Sequence, residues 1–213
     1  MGIITRSFVN GLTTNGVLGA SNINNASLNN ITSISGPEMT LISSATASNS
    51  ASIEFSLGNY KEYQFFFVNI HQSIDQAYFQ VNFSTDNGSN YNVTKTTSAF
   101  NAFHTEADSD EFVYASTTDV AQSTANANLS ILTGNGNDEN QSGYLHLFNS
   151  SSATFVKHFI SDLQCNYRVG LPASVNYKVA GYANTTSALT NIKFEFSEGN
   201  IDAGTIYMYG IGA

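Results

Sequence analysis

The chain has 213 residues, of which 41% are hydrophobic and only 11% charged, and its formal net charge is −9. That length suits one sizeable domain with an appendage and is short for two full domains. Seven Lys and Arg against sixteen Asp and Glu cannot line up the cationic stripe that binds phosphates or anionic lipid, so neither nucleic acid nor a membrane is expected as partner.

The first 36 residues carry spaced apolar side chains, Ile3, Ile4, Phe8, Val9, Leu12, Val17, Leu18, Ile23, Leu28, Ile31 and Ile34, set among Asn, Thr, Ser and Gly. No period of 2 or 3.6 runs through them, so they predict neither a regular strand nor an amphipathic helix. Such a segment cannot build its own core, yet it is too apolar for a typical disordered tail. The economical expectation is an extended arm that docks these residues onto neighbouring subunits; the alternative is a strand pair folded onto its own domain. Gly36 and Pro37 mark the boundary, because proline lacks a donor and biases the residue before it to extended geometry. Residues 1–6 do not open a secretory signal, and no apolar stretch reaches the roughly 20 residues of a membrane span.

From residue 37 to 213 the pattern is that of a β domain. Residues 39–43 predict a short strand, and 51–57 alternate cleanly between apolar and polar. Residues 63–70 read as a central strand covered on both faces. Residues 78–83 alternate again and end at Asp86-Asn87-Gly88. Asn-Gly favours a type I′ turn, so this predicts a hairpin tip leading into a strand near residues 91–97. Further strands are expected near 99–104, 111–115, 127–133, 143–149, 154–163 and 176–183, with room for one helical turn within 119–127. Residues 191–197 and 204–211 form two alternating runs that predict a closing β-hairpin. Eleven or twelve short strands joined by Gly, Asn and Ser turns predict an all-β fold, a two-sheet jelly-roll-like β-sandwich, with a closed barrel as second choice.

Catalytic or metal chemistry finds little footing in these residues. Glu106, Asp108, Asp110 and Glu111 are the densest titratable cluster. Glycoside hydrolysis needs two carboxylates facing each other across a cleft, and adjacent carboxylates in a polar loop read instead as a solvated turn. Residues 134–140 are rich in oxygen donors that could wrap Ca²⁺, but they lack the spacing and closing Glu of an EF-hand. His71, His104, His146 and His158 fall in separate contexts without metal-ligand spacing. The single cysteine, Cys165, excludes an internal disulfide and a cysteine-based zinc site. No serine elbow, phosphate loop or dinucleotide fingerprint is present. The expectation is a protein without enzyme activity or cofactor.

Several stretches together carry a resemblance: residues 25–32, 39–43 and 51–55; Tyr60 with 63–71; 83–91; Gly143-Tyr144-Leu145-His146-Leu147-Phe148-Asn149; Lys157-His158-Phe159; and the terminal 199–211. In this order they resemble small virion structural proteins of tailed phages, especially marine ones, over nearly the whole chain. The resemblance implies a structural component on the outer surface of the virion, partnered by other virion proteins. Capsid decoration or cement protein is the leading role. A tail-fibre or receptor-binding component that meets a host surface glycan is the alternative. Either role implies a homo-oligomer, most naturally a trimer.

Overall fold

The computed structural model describes residues 39–168 and 171–212. The expected docking arm, from Ile3 to Ile34, lies outside the described residues. Within them the regular structure is twelve strands and no helix. In chain order these are β1 (Met39–Thr46), β2 (Ile53–Ser56), β3 (Glu62–Gln72), β4 (Phe79–Ser84), β5 (Lys95–Thr105), β6 (Asp110–Tyr114), β7 (Ala127–Asn128), β8 (Gln141–Phe148), β9 (Lys157–Arg168), β10 (Leu171–Ala183), β11 (Asn191–Phe196) and β12 (Ile201–Ile211).

The strands form two antiparallel sheets. One has eight strands in the order β1-β12-β3-β8-β9-β10-β5-β6, the other four in the order β2-β11-β4-β7. Among the described residues both orders have open edges, so these strands form two sheets and not the closed barrel given as second choice. The period-2 pattern explains why these residues make strands: in β5 the side chains of Lys95, Thr97, Ala99, Asn101, Phe103 and Thr105 are buried, and those between them face outward.

Phenylalanines from both sheets knit the core. Phe194 of β11 lies 5.2 Å from Phe67, 5.3 Å from Phe65, 5.9 Å from Phe79 and 6.4 Å from Phe55, measured between ring centroids. Phe67 meets Phe79 edge-on at 5.2 Å, and Phe83 meets Phe159 at 5.4 Å. Tilted and edge-to-face pairs of this kind join the two layers into a β-sandwich-like body. A smaller cluster of Phe103, Cys165, Ala173 and Val175 fills the large sheet's inner face farther along β5, β9 and β10.

Several expected elements differ. The two terminal runs are strands but not a hairpin: β11 pairs with β2 and β4, whereas β12 pairs with β1 and β3. A sandwich corner and a hairpin leave the same alternating pattern, because in both each strand buries one face. Asn87 and Gly88 do take the paired positive φ of the expected turn, at 59° and 82°. The chain nevertheless does not fold back on β4. Asp86 accepts hydrogen bonds from Asn90 N at 2.9 Å and from Ser84 Oγ at 2.6 Å, winding the loop onward to β5 in the other sheet. Hydrogen bonds from Asn90, then Ser84, hold the Asp86 carboxyl down to about 2.

The strands expected at 91–97 and 99–104 are one strand, β5. The strand expected at 127–133 shrinks to β7, since Ser130 Oγ, rather than a main-chain carbonyl, accepts from Phe79 N at 2.9 Å. Turn hydrogen bonds run from Thr118 N and Asp119 N to Ala115 O, before the expected helical turn and without making a helix. β3 has neighbours on both edges, but its outer face is uncovered among the described residues, with Val68 43% exposed.

One glycine is required by geometry. Gly204 has φ +110°, and a Cβ there would stand 2.5 Å from Asn69 O, where β12 and β3 slip register. Gly204→Ala is expected to lower stability by more than about 1 kcal/mol, read as a lower urea midpoint with an unchanged slope.

Candidate functional site

The β5–β6 turn carries the acidic cluster on an exposed tip. Asp108 sits at φ 62°, and His104 Nε2 lies 3.2 Å from its Oδ1. Thr105 N donates to Ser109 O at 2.8 Å, closing the turn. Glu106, Asp108, Asp110 and Glu111 are all exposed. Two of them nevertheless meet a distant segment: Glu106 and Asp108 share an open cavity of about 510 Å³ with Asp138, Gln164, Asn166 and Ser174. The two segments singled out separately in the sequence thus converge at one end of the large sheet.

The 134–140 loop uses its oxygens in hydrogen bonds within itself and to neighbouring strands. Glu139 Oε2 accepts from Gly136 N at 2.7 Å, and Gly136 O accepts from Glu139 N at 2.8 Å. The Glu139 carboxylate fills the space that a Cβ at Gly134 would need. His71 Nε2 lies 3.0 Å from Gly136 O, and its Nδ1 lies 3.3 Å from Asp202 Oδ2. Asn166 donates to Asp138 O and accepts from Asn140 N. Among the described residues, no group of three or more His, Cys, Asp or Glu is placed to hold a metal ion.

The other histidines take structural positions on the outer side of the large sheet. His146 Nε2 is 2.8 Å from Glu62 Oε2, and His158 faces the Tyr182 ring at 6.2 Å. Cys165 is buried, and burial pushes its thiol up to about 12, so it is no nucleophile.

Sequence reasoning missed two buried cations. Lys95 and Lys157 are fully buried and flank Ala183 across β10, in register with it from either side. Lys95 Nζ donates to Ala125 O at 2.6 Å, and Lys157 Nζ donates to Ser187 O at 2.6 Å and Thr185 O at 3.0 Å. Each lysine ties a loop to the end of a strand. The signal was there in the alternation, since Lys95 is in frame with Thr97 and Ala99 and Lys157 with Phe159 and Ser161. Burial lowers both amines, Lys95 to about 8.

No family model, no curated protein and no solved structure matches this chain.

Proposed function

We propose that residues 37–213 form a jelly roll and that the chain is a non-enzymatic structural protein of a phage virion, placed on the outside of the capsid as a decoration or cement protein. The observation that carries this reading is the strand pairing. With β5–β6 and β9–β10 taken as inserted pairs, eight strands remain. The first pairs with the last, β1 with β12; the second with the seventh, β2 with β11. The third pairs with the sixth, β3 with β8, and the fourth with the fifth, β4 with β7. This pairing is what one long hairpin rolled into two sheets, β1-β12-β3-β8 and β2-β11-β4-β7, would give, and it supports the jelly-roll reading.

Jelly rolls serve viral capsids and lectins alike, so the surface must choose between them. An acidic chain poor in cations makes a poor lining for packaged DNA, which favours an exterior position. The apolar residues of 1–36 supply a clamp for neighbouring subunits, and a threefold homo-oligomer is the natural arrangement at capsid or fibre positions. One feature favours the second reading, a tail-fibre component binding a host glycan. The cavity shared by Glu106, Asp108, Asp138, Gln164 and Asn166 offers the carboxylates and amides that hydrogen-bond sugar hydroxyls.

Antibody labelling of the virion in electron micrographs separates the two. Many copies spread over the capsid support cement; a few confined to the tail support the fibre; no label on any particle overturns both. A chain lacking residues 1–36 is expected to stay folded and soluble but to be absent from purified particles. Its incorporation at full occupancy would remove the arm from the reading.

A further inference from the structure

The outer face of the eight-stranded sheet is aromatic where a solvated sheet face is polar. Directly opposed residues on antiparallel strands share a face. The register therefore sets Tyr207, Phe66 and Tyr144 in one row across β12, β3 and β8. The same row continues through Asp162 and Lys178 to Phe100 and Tyr114. Beside it stand Val68 and Ile160, 43% and 47% exposed, and Phe112, which packs on Phe100 at 5.3 Å and is itself 69% exposed. The small sheet is dressed differently: its outer positions include Glu54, Gln80, Lys193 and Glu195, alternating with an apolar inner set, while Asn82 is covered by the segment whose Thr124 O and Asn126 Oδ1 it donates to. The large sheet's outer face also carries polar residues, such as Ser98, His158, Gln164 and Ser174, but the aromatic row across its strands has no counterpart on the small sheet's outer positions.

We infer that this face is the surface through which copies of the chain meet. Two observations name the occupant as a second copy. The first is charge. The chain carries −9 overall, yet on this face Lys178 pairs with Asp162, and His146 lies 2.8 Å from Glu62. Two acidic molecules can approach the middle of this face with its Asp162 already paired to Lys178, and charge-poor, Tyr- and Phe-rich surface is the make-up of interface cores. The second is area. Eight strands at about 4.8 Å spacing, over roughly six paired residues each, span on the order of 700 Å². That is close to the roughly 800 Å² each partner contributes to a standard interface. The inference gives the proposed homo-oligomer a twofold contact, one face against its own copy, and rests on self-association and not on its threefold form; the virion location is tested separately by the antibody label.

Light scattering after size exclusion tests it on the full chain. Wild type is expected at a multiple of 22.9 kDa, and Val68→Lys with Ile160→Lys at the single-chain mass, with far-ultraviolet circular dichroism unchanged. Phe155→Lys, at an exposed aromatic between β8 and β9, keeps the wild-type mass. Should the lysine variant lose its fold, Ile160→Thr, which retains strand propensity, is expected to dissociate at higher concentration than wild type. The inference is overturned by a wild type that runs as one chain at high concentration, its face left for another ligand such as a glycan. Lysine or threonine variants that associate as wild type does also overturn it.

Discussion

Phe194→Ala is expected to destabilise the folded chain by about 3–5 kcal/mol, a large share of the 5–15 kcal/mol that holds a typical domain together. The ring touches four others, Phe55, Phe65, Phe67 and Phe79, which arrive on three further strands from both sheets. Those neighbours are buried and cross-braced, Phe67 against Phe79 and Phe55 against Phe65. They have little room to collapse into the void, so the cavity cost adds to the lost transfer energy. Urea unfolding checks it. A cost below about 1.5 kcal/mol, nearer that of a volume-conserving swap, would mean that the two layers do not hinge on this ring.

The second large effect is a rise in stability on the alkaline side of neutral. Lys95 titrates near 8 when folded and near 10.5 when free, because burial penalises its charged form. Between those values the unfolded chain holds a proton that the native chain has released, so raising the pH favours the native state. A shift of this size contributes about 2 kcal/mol between pH 8 and pH 10, and Lys157, also lowered by burial, adds to it. Above about pH 10 the sign reverses. Burial raises Tyr177 to about 12 and raises Tyr63 as well, so unfolded tyrosines ionise first and draw the chain apart. Urea midpoints across pH 7–11 should climb and then fall. In Lys95→Met the climb should shrink, and with Lys157→Met added it should vanish. A double variant that keeps the full climb would place its cause in other groups.

Much of the fold can be read along the sequence, because burial on one face writes itself into alternation. The strands β2, β5 and β11 show it: Ile53 and Phe55, then Ala99, Asn101 and Phe103, then Ile192, Phe194 and Phe196 point inward at every second position. Alternation is silent about partners, however. Residues 191–211 look like a hairpin and are two strands of different sheets, since each needs only its own buried side. Nor does it separate a lysine that ends in water from one that ends on carbonyls, so the alternation around Lys95 and Lys157 does not by itself announce their burial. Glu106 and Asp138 lie about 30 residues apart in the chain, and only the route of β8 and β9 brings their loops to one cavity.

The placing of β12 governs how the molecule can be made. This strand, latest in the chain order, is slotted between β1 and β3, and Thr46 reaches Thr205 across 159 positions of sequence. Until it arrives, the earliest strands hold open the gap it will occupy, with hydrogen-bonding edges unclaimed. Folding therefore waits on synthesis and is expected to be slow, and the nascent chain is exposed to capture by strands of its neighbours.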